Sequence, residues 1–192
     1  MQFTKWHGLG NDFVLLDGFT EEVVMTSSLA RQLCDRKRGI GADGVAIILP
    51  PENSHYDLEM RIYNANGTIA EMCGNVTRCV AAYATQQQPD KKHWRILTAA
   101  GVMQADVIDH TPQESEVTVI MSVPKLRRGD IGITADKEQP AQNIQINLDG
   151  KALTFTGVSM GNPHVVTFVD DVDTVPVGDW GPRVETNPLF SE

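Results

Sequence analysis

Twice along this chain a strand-like run meets a Gly-Asn pair, continues as an apolar run and closes on an aspartate. Phe3-Thr4 leads to Gly10-Asn11 and on to Phe13-Val14-Leu15-Leu16-Asp17. Phe155-Thr156 leads to Gly161-Asn162 and on to His164-Val165-Val166-Thr167-Phe168-Val169-Asp170. A supersecondary plan that recurs in the same order restricts the fold to two units of similar design. Residues 125–140 are charged, rich in Gly and Asp and weakly patterned, and read as the connection, so domains are expected over 1–123 and 124–192.

The first copy carries more elements than the second. Glycines at 8 and 10 permit positive φ and close backbone approach, which would present Asn11 at a loop tip; a plain hairpin turn is the alternative. A helix is expected next, capped by Thr26, Ser27 or Ser28, with Leu29, Leu33 and Cys34 on its buried side and Gly39 as its stop. Gly39-Ile40-Gly41-Ala42-Asp43-Gly44 then enters a buried strand over 45–49. Glycines that precede a strand are in the wrong place for a nucleotide-binding fingerprint, which joins a strand to a helix. Residues 57–63 alternate with period two, as a half-buried antiparallel strand does, and deliver Asn64 to its end. Asn66-Gly67 signals a type I′ turn, and 68–72 returns along it. Strands are expected over 94–98, 102–108 and 117–123. In the second copy Ile144, Ile146 and Leu148 alternate, Asp149-Gly150 turns the chain, and Leu153 and Phe155 return. The tail, with Pro176, Pro182 and Pro188, reads as surface loop.

The strand returning from Asn66-Gly67 ends on Met72-Cys73-Gly74-Asn75-Val76-Thr77-Arg78-Cys79. Val76, Cys79, Val80, Tyr83 and Ala84 form the one-sided stripe of an amphipathic helix, with Asn75 as the expected N-cap. Cys73 then lies just before the first turn, where unpaired backbone N–H groups and the positive end of the helix dipole suit a thiolate and can hold a carboxylate. That setting fits chemistry on an acid; the alternative is a small buried hydrophobe. Cys34 and Cys79 read as core, and the Cys73 to Cys79 spacing matches no usual zinc pattern.

Charge narrows the function further. With 16 Lys+Arg against 25 Asp+Glu the formal net charge is -9, and the only basic run is Arg36-Lys37-Arg38. Nucleic acid is therefore not an expected partner, since phosphate neutralisation needs a basic face. No apolar run approaches membrane-spanning length and the first residues have no apolar signal core, so no membrane partner and a cytoplasmic location are expected. Three scattered cysteines argue for reduced thiols and against a disulfide framework.

Five motifs in order then carry a resemblance. His7-Gly8-Leu9-Gly10-Asn11-Asp12-Phe13, Gly39-Ile40-Gly41-Ala42-Asp43-Gly44, Tyr63-Asn64-Ala65-Asn66-Gly67, Cys73-Gly74-Asn75 with Arg78-Cys79, and Met160-Gly161-Asn162-Pro163-His164 together resemble the amino-terminal two-thirds of the diaminopimelate epimerase family. The resemblance spans essentially the whole chain. It implies an α/β (α+β) fold of two pseudo-symmetric domains, each a curled, mostly antiparallel sheet around a central helix, the second domain truncated, with the active site in the cleft between them.

It also implies an isomerase that inverts LL- to meso-diaminopimelate, on the route to lysine and cell-wall precursor, with no cofactor and no pyridoxal phosphate. Such inversion needs a base on one face of the carbon, an acid on the other and donors for the carbanion; two thiols supply the pair. By resemblance Cys73 is one of them. Gly74 and Asn75 offer backbone N–H groups to the substrate's carboxylate. Asn11, Asn64 and Asn162 hold its amino and carboxyl groups, and His164 tunes the thiol pKa values. The implied partner is the small-molecule substrate, and such enzymes often pair, so a homodimer is expected. In the family the chain runs on beyond Glu192 to the second catalytic cysteine, so this polypeptide alone is expected to epimerise little or not at all. A non-catalytic binding module and a one-base isomerase of the same fold are the alternatives.

Overall fold

Residues 13–16 and 45–48 are apolar at every position, and both runs are buried on both faces, the mark of strands covered by two layers. They lie side by side as a parallel pair. Phe13, Leu15, Ala46 and Ile48 face one core, while Val14, Leu16, Val45 and Ile47 face another that includes Cys34. The computed structural model describes residues 1–121 and 123–190 and divides after Met121 into two compact units.

The first unit runs β1 (Thr4–Gly8), β2 (Asn11–Asp17), α1 (Ser27–Cys34), β3 (Gly44–Leu49), β4 (Leu58–Asn64), β5 (Ile69–Ala70), α2 (Gly74–Gln87), β6 (His93–Thr98), β7 (Gly101–His110) and β8 (Ser115–Ile120). Its sheet has the order β1-β2-β3-β4-β6-β7-β8, with β5 paired to β4. The β2–β3 and β4–β6 pairs are parallel and the others antiparallel. The second helix packs against β1 and β2 at one end of that order and against β7 and β8 at the other, so the sheet curls around α2. Thr77, Ala81 and Ala82 are buried there along with Val76, Cys79, Val80 and Ala84. Small side chains on several faces let strands approach from several sides. Thr85, also buried, accepts from Trp94 Nε1 at 2.8 Å and donates to Lys91 O at 3.0 Å, so the indole nitrogen is not left unpaired in the core.

Local boundaries depart from the sequence reading in three places. The first helix starts as expected, with Thr26 Oγ1 accepting from Leu29 N at 3.1 Å, but it ends at Cys34 rather than at Gly39. Asp35 leaves the helix in an extended conformation and its carboxylate accepts the N–H groups of Lys37 and Arg38, which turns the chain early. The turn after β4 is not type I′: only Gly67 is left-handed, and the Asn66 side chain instead accepts from Thr68 N and Oγ1. The second helix begins at Gly74 with Cys73 at its N-cap, so Asn75 lies inside the first turn. Ser122, within the strand expected over 117–123, and Ser191 and Glu192 lie outside the described residues.

The second unit holds an antiparallel sheet of β9 (Ile144–Leu148), β10 (Lys151–Ser159) and β11 (Pro163–Val166), with β10 in the middle. Asp149 and Gly150, both left-handed at φ 54° and 82°, turn β9 into β10. The supposed connection over 125–140 is part of this unit: Lys125 bridges Ser159, and Ile131, Ile133 and Ala141 are buried in its core. The tail is not loop either. It forms α3 (Val177–Glu185), whose Trp180 and Val184 pack on that core while Arg183 bonds both Asp149 and Asp179. Two glycines and Pro182 had hidden this apolar stripe. No helix among the described residues is long and apolar enough to cross a membrane.

Candidate active site

At Cys73 the backbone is still extended, and from Gly74 it is helical. Cys73 O accepts from Thr77 N at 3.0 Å and Thr77 Oγ1 at 2.9 Å, which fixes the helix start. The Cys73 side chain makes no cap bond at this end, and the first turn has no acidic residue. The leading N–H groups, which no hydrogen bond among the described residues occupies, and the positive dipole end suit an anion. Gly74 lets the chain past β8 lie close, since a Cβ there would stand 3.2 Å from Met121 Sδ. The Asn75 side chain is turned away along the helix, accepting from Arg78 Nη1 at 2.7 Å.

The β1–β2 hairpin supplies the next group. Leu9 and Gly10 are both left-handed, at φ 56° and 88°, the geometry of a two-residue primed turn that matches strand twist. Gly8, just before the turn, presses on the helix: a Cβ at that position would lie 2.8 Å from Asn75 O. The hairpin tip is therefore seated on the start of α2, and Asn11 Oδ1 comes to 3.7 Å from Cys73 Sγ.

Behind Asn11 stands a charged cluster that the sequence reading did not single out. Asn11 Nδ2 donates to Asp43 Oδ2 at 3.0 Å, and Asp12 N donates to the same oxygen at 3.1 Å. Arg36 Nη2 bonds Asp43 Oδ1 at 2.7 Å and Asp12 Oδ1 at 2.6 Å, Arg36 Nη1 bonds Asp12 Oδ2 at 3.1 Å, and Lys5 Nζ is 2.9 Å from Asp12 Oδ2. The Arg36 guanidinium, helped by Lys5, holds the Asp12 carboxyl far below the ordinary carboxylate range against the opposing effect of burial. The signal available in the sequence was an aspartate alone among the glycines of 39–44, and an arginine in the one basic run.

Asn64 ends β4 opposite Gly44 and is exposed. Its side chain donates to Thr68 Oγ1 at 3.0 Å, and the next residue's N–H donates to Asp43 O at 3.1 Å. Among the described residues no hydrogen bond joins Asn64 to Asn11 or Cys73. Asn162 and His164 belong to the second unit, on the β10–β11 hairpin, where both are exposed and His164 Nε2 is 3.1 Å from Asn162 Oδ1. His164 also lines an apolar cavity of about 520 Å³ in that unit, together with Leu153, Phe155 and Trp180. Of the three cysteines only Cys73 is partly exposed. Burial pushes the Cys79 thiol up to about 12 and raises that of Cys34 as well. Among the described residues no group of three or more His, Cys, Asp or Glu side chains is placed to hold a metal ion.

The family model described as diaminopimelate epimerase matches residues 3–126. A diaminopimelate epimerase of Halothermothrix orenii is 40% identical over 194 residues, covering 100% of this chain and 68% of the relative. One of Carboxydothermus hydrogenoformans is 42% identical, covering 99% of this chain and 68% of the relative. Among solved structures, a hydroxyproline epimerase from Agrobacterium vitis with bound trans-4-OH-L-proline superposes with a TM-score of 0.66 at 16% identity, covering 91% of this chain and 53% of that one. A probable proline racemase from Agrobacterium radiobacter with bound carbonate gives 0.63 at 14% identity, covering 93% and 52%. This chain thus spans about half the length of those two structures, and at such identities they speak for the fold alone.

Proposed function

This chain belongs to the diaminopimelate epimerase family, and on that premise we propose that Cys73 moves a proton at the α-carbon of diaminopimelate, a step in making lysine. The observation that carries this reading is the partly exposed Cys73 at the N-cap of α2, with Asn11 Oδ1 3.7 Å from its sulfur. A substrate carboxylate held by the N–H groups of Gly74 and Asn75 brings its α-carbon beside that sulfur. As a thiolate, Cys73 removes the α-proton, and the electron pair left on carbon spreads into the carboxylate. The same N–H groups then face growing negative charge, so they bind the transition state more tightly than the ground state. Asn11 offers an oxygen acceptor beside the reacting centre, and the exposed amide of Asn64 is assigned to the polar ends of the substrate. The roles of Asn162 in binding and of His164 in tuning a thiol rest on their motif.

A lone thiol serves one face of the α-carbon, and returning the proton to the other face needs a second acid. The residues at hand supply one accessible thiol. In deuterated water the chain is therefore expected to wash the α-hydrogen of LL-diaminopimelate into solvent faster than it produces the meso isomer, with both read by NMR. Cys73→Ala, its fold checked by circular dichroism, is expected to lose the exchange. Exchange that survives in Cys73→Ala, or that is absent from the unaltered chain, overturns the reading; unaltered ligand affinity with no exchange in either would mark a binding module.

A further inference from the structure

Proton transfer makes no use of the glycine-rich segment 39–44, yet that segment is firmly held. Gly41 is left-handed at φ 78°, and a Cβ there would stand 2.9 Å from Arg36 Cα, so the loop doubles back over Arg36. At Gly44 a Cβ would stand 2.8 Å from Tyr63 O and 3.1 Å from the Phe13 ring. Between them Asp43 N donates to Asp12 O at 2.9 Å, and Asp43 O accepts from Ala65 N at 3.1 Å. The result is a bracket that delivers one carboxylate to the base of the β1–β2 hairpin.

What the carboxylate does there follows from the chemistry of its neighbours. An asparagine amide has an acceptor end and a donor end, and either could face Cys73. Asp43 Oδ2 is an acceptor only, and it takes the Asn11 Nδ2 donor at 3.0 Å. The donor end is committed, and Oδ1 is left facing the sulfur. Two donors, Asn11 Nδ2 and Asp12 N, stand at one oxygen of Asp43 while the Arg36 guanidinium stands at the other. Only a carboxylate accepts on both sides; an amide in its place would set its own donor against one of them.

We propose that Asp43 is a positioning residue, fixing the Asn11 amide so that the site presents a hydrogen-bond acceptor, and not a donor, beside Cys73. This rests on the reading of Cys73 as the working thiol. An acceptor at that point takes the thiol's own proton or an ammonium group. It disfavours a carbonyl or carboxylate oxygen at the same place.

The test has two arms, neither of which involves substrate or turnover, so a failure of the assigned reaction and a failure of this inference are distinguishable. In the unaltered chain labelled with ¹⁵N, the Asn11 side-chain amide, assigned by its loss in Asn11→Ala, is expected to show one proton shifted downfield and slow to exchange. An Asn11 amide whose two protons both show the shifts and exchange rates of a solvent-exposed asparagine overturns the proposal whether or not any variant folds. The second arm is the rate at which iodoacetamide alkylates Cys73. In Asp43→Ala the freed amide can turn its donor to the sulfur, and the rate at pH 7 is expected to rise on the order of tenfold, the size of one hydrogen bond. Removal of a nearby negative charge or loosening of the hairpin would also raise that rate, but would do so with or without Asn11. The rise is therefore expected to vanish when Asp43→Ala is made in the Asn11→Ala background. An unchanged rate in the single variant, or the same rise in the double variant, overturns the proposal.

Discussion

Alanine at position 8 would put a methyl group into a contact made entirely by main chain. Its Cβ would stand 2.8 Å from Asn75 O and 3.2 Å from Asn75 C and Cα, well inside the 3.4 Å at which ordinary contact begins. None of these atoms can rotate away, because all belong to the first turn of α2. Gly8 is not left-handed, so the penalty comes from the contact and not from backbone strain. Relief requires the hairpin to lift from the helix by several tenths of an ångström, and overpacking of this kind costs about 1–3 kcal/mol. Gly8 pairs with Asn11 across the hairpin, so the lift is passed to Asn11. Its 3.7 Å approach to Cys73 Sγ is already near the end of hydrogen-bond range for sulfur and is expected to break. Gly8→Ala should therefore lower the urea midpoint with an unchanged m-value and also change the alkylation rate of Cys73. Gly101→Ala is the control: it is left-handed at φ 110° with nothing within 4 Å, so it should destabilise by about 1–2 kcal/mol through strain and leave Cys73 unaffected. A Gly8→Ala chain within about 0.5 kcal/mol of the parent and with the parent's alkylation rate would refute the claim that this close approach seats the hairpin.

Three further outcomes are expected. Mass mapping after brief alkylation of the folded chain should find label on Cys73 alone, with Cys34 and Cys79 labelled only in denaturant, because burial raises both of their thiols. Thr85→Val should destabilise by about 1–3 kcal/mol, read by urea titration, since it strands Trp94 Nε1 inside the core, whereas Thr85→Ser should cost less. At Asp57 burial works to raise the carboxyl, but bonds from Arg95 and Lys91 overcome it and hold the group well below the carboxylate range. Its stabilising contribution is therefore complete above the unfolded value near ~4 and lost as pH falls below it. Asp57→Asn should flatten the fall in stability between about pH 5 and pH 2, seen in urea midpoints across that range.

The sequence made the strands of the first unit legible because their patterns are local. Period-two burial along β4 and the unbroken apolar runs of β2 and β3 need no knowledge of distant residues. Where the reading failed, the deciding interaction was weaker or masked. Asn75 is the better capping residue by type, yet the cap position falls to Cys73, whose side chain makes no cap bond. Packing at Gly8 and Gly74 and the two bonds from Thr77 to Cys73 O set that start instead. In the second unit, buried Val184 and partly buried Trp180 stand one turn apart on the same core, but Gly178, Gly181 and Pro182 lower helix propensity enough to hide the pair. Ile131 and Ile133 sat among charges and glycines, and only their burial shows that they close a core.

For the candidate site the division falls along sequence separation. Cys73 was visible because a cysteine ahead of an amphipathic stripe is a local pattern. Its neighbour Asn11 is 62 residues away, and Asp43 is 32 residues from Asn11. No window of ordinary length contains either pair, and the atoms that create them include a missing Cβ at Gly8 and a left-handed Gly41, which read in isolation as generic turn glycines. Short motifs kept in order along the chain are the form in which such a site can be written in one dimension, because each motif holds one end of a contact whose other end lies in another. That is why five of them together pointed to a family when none alone did, and why the contact of Asp43, present in one of those motifs, with Asn11, present in another, shows only in the folded chain.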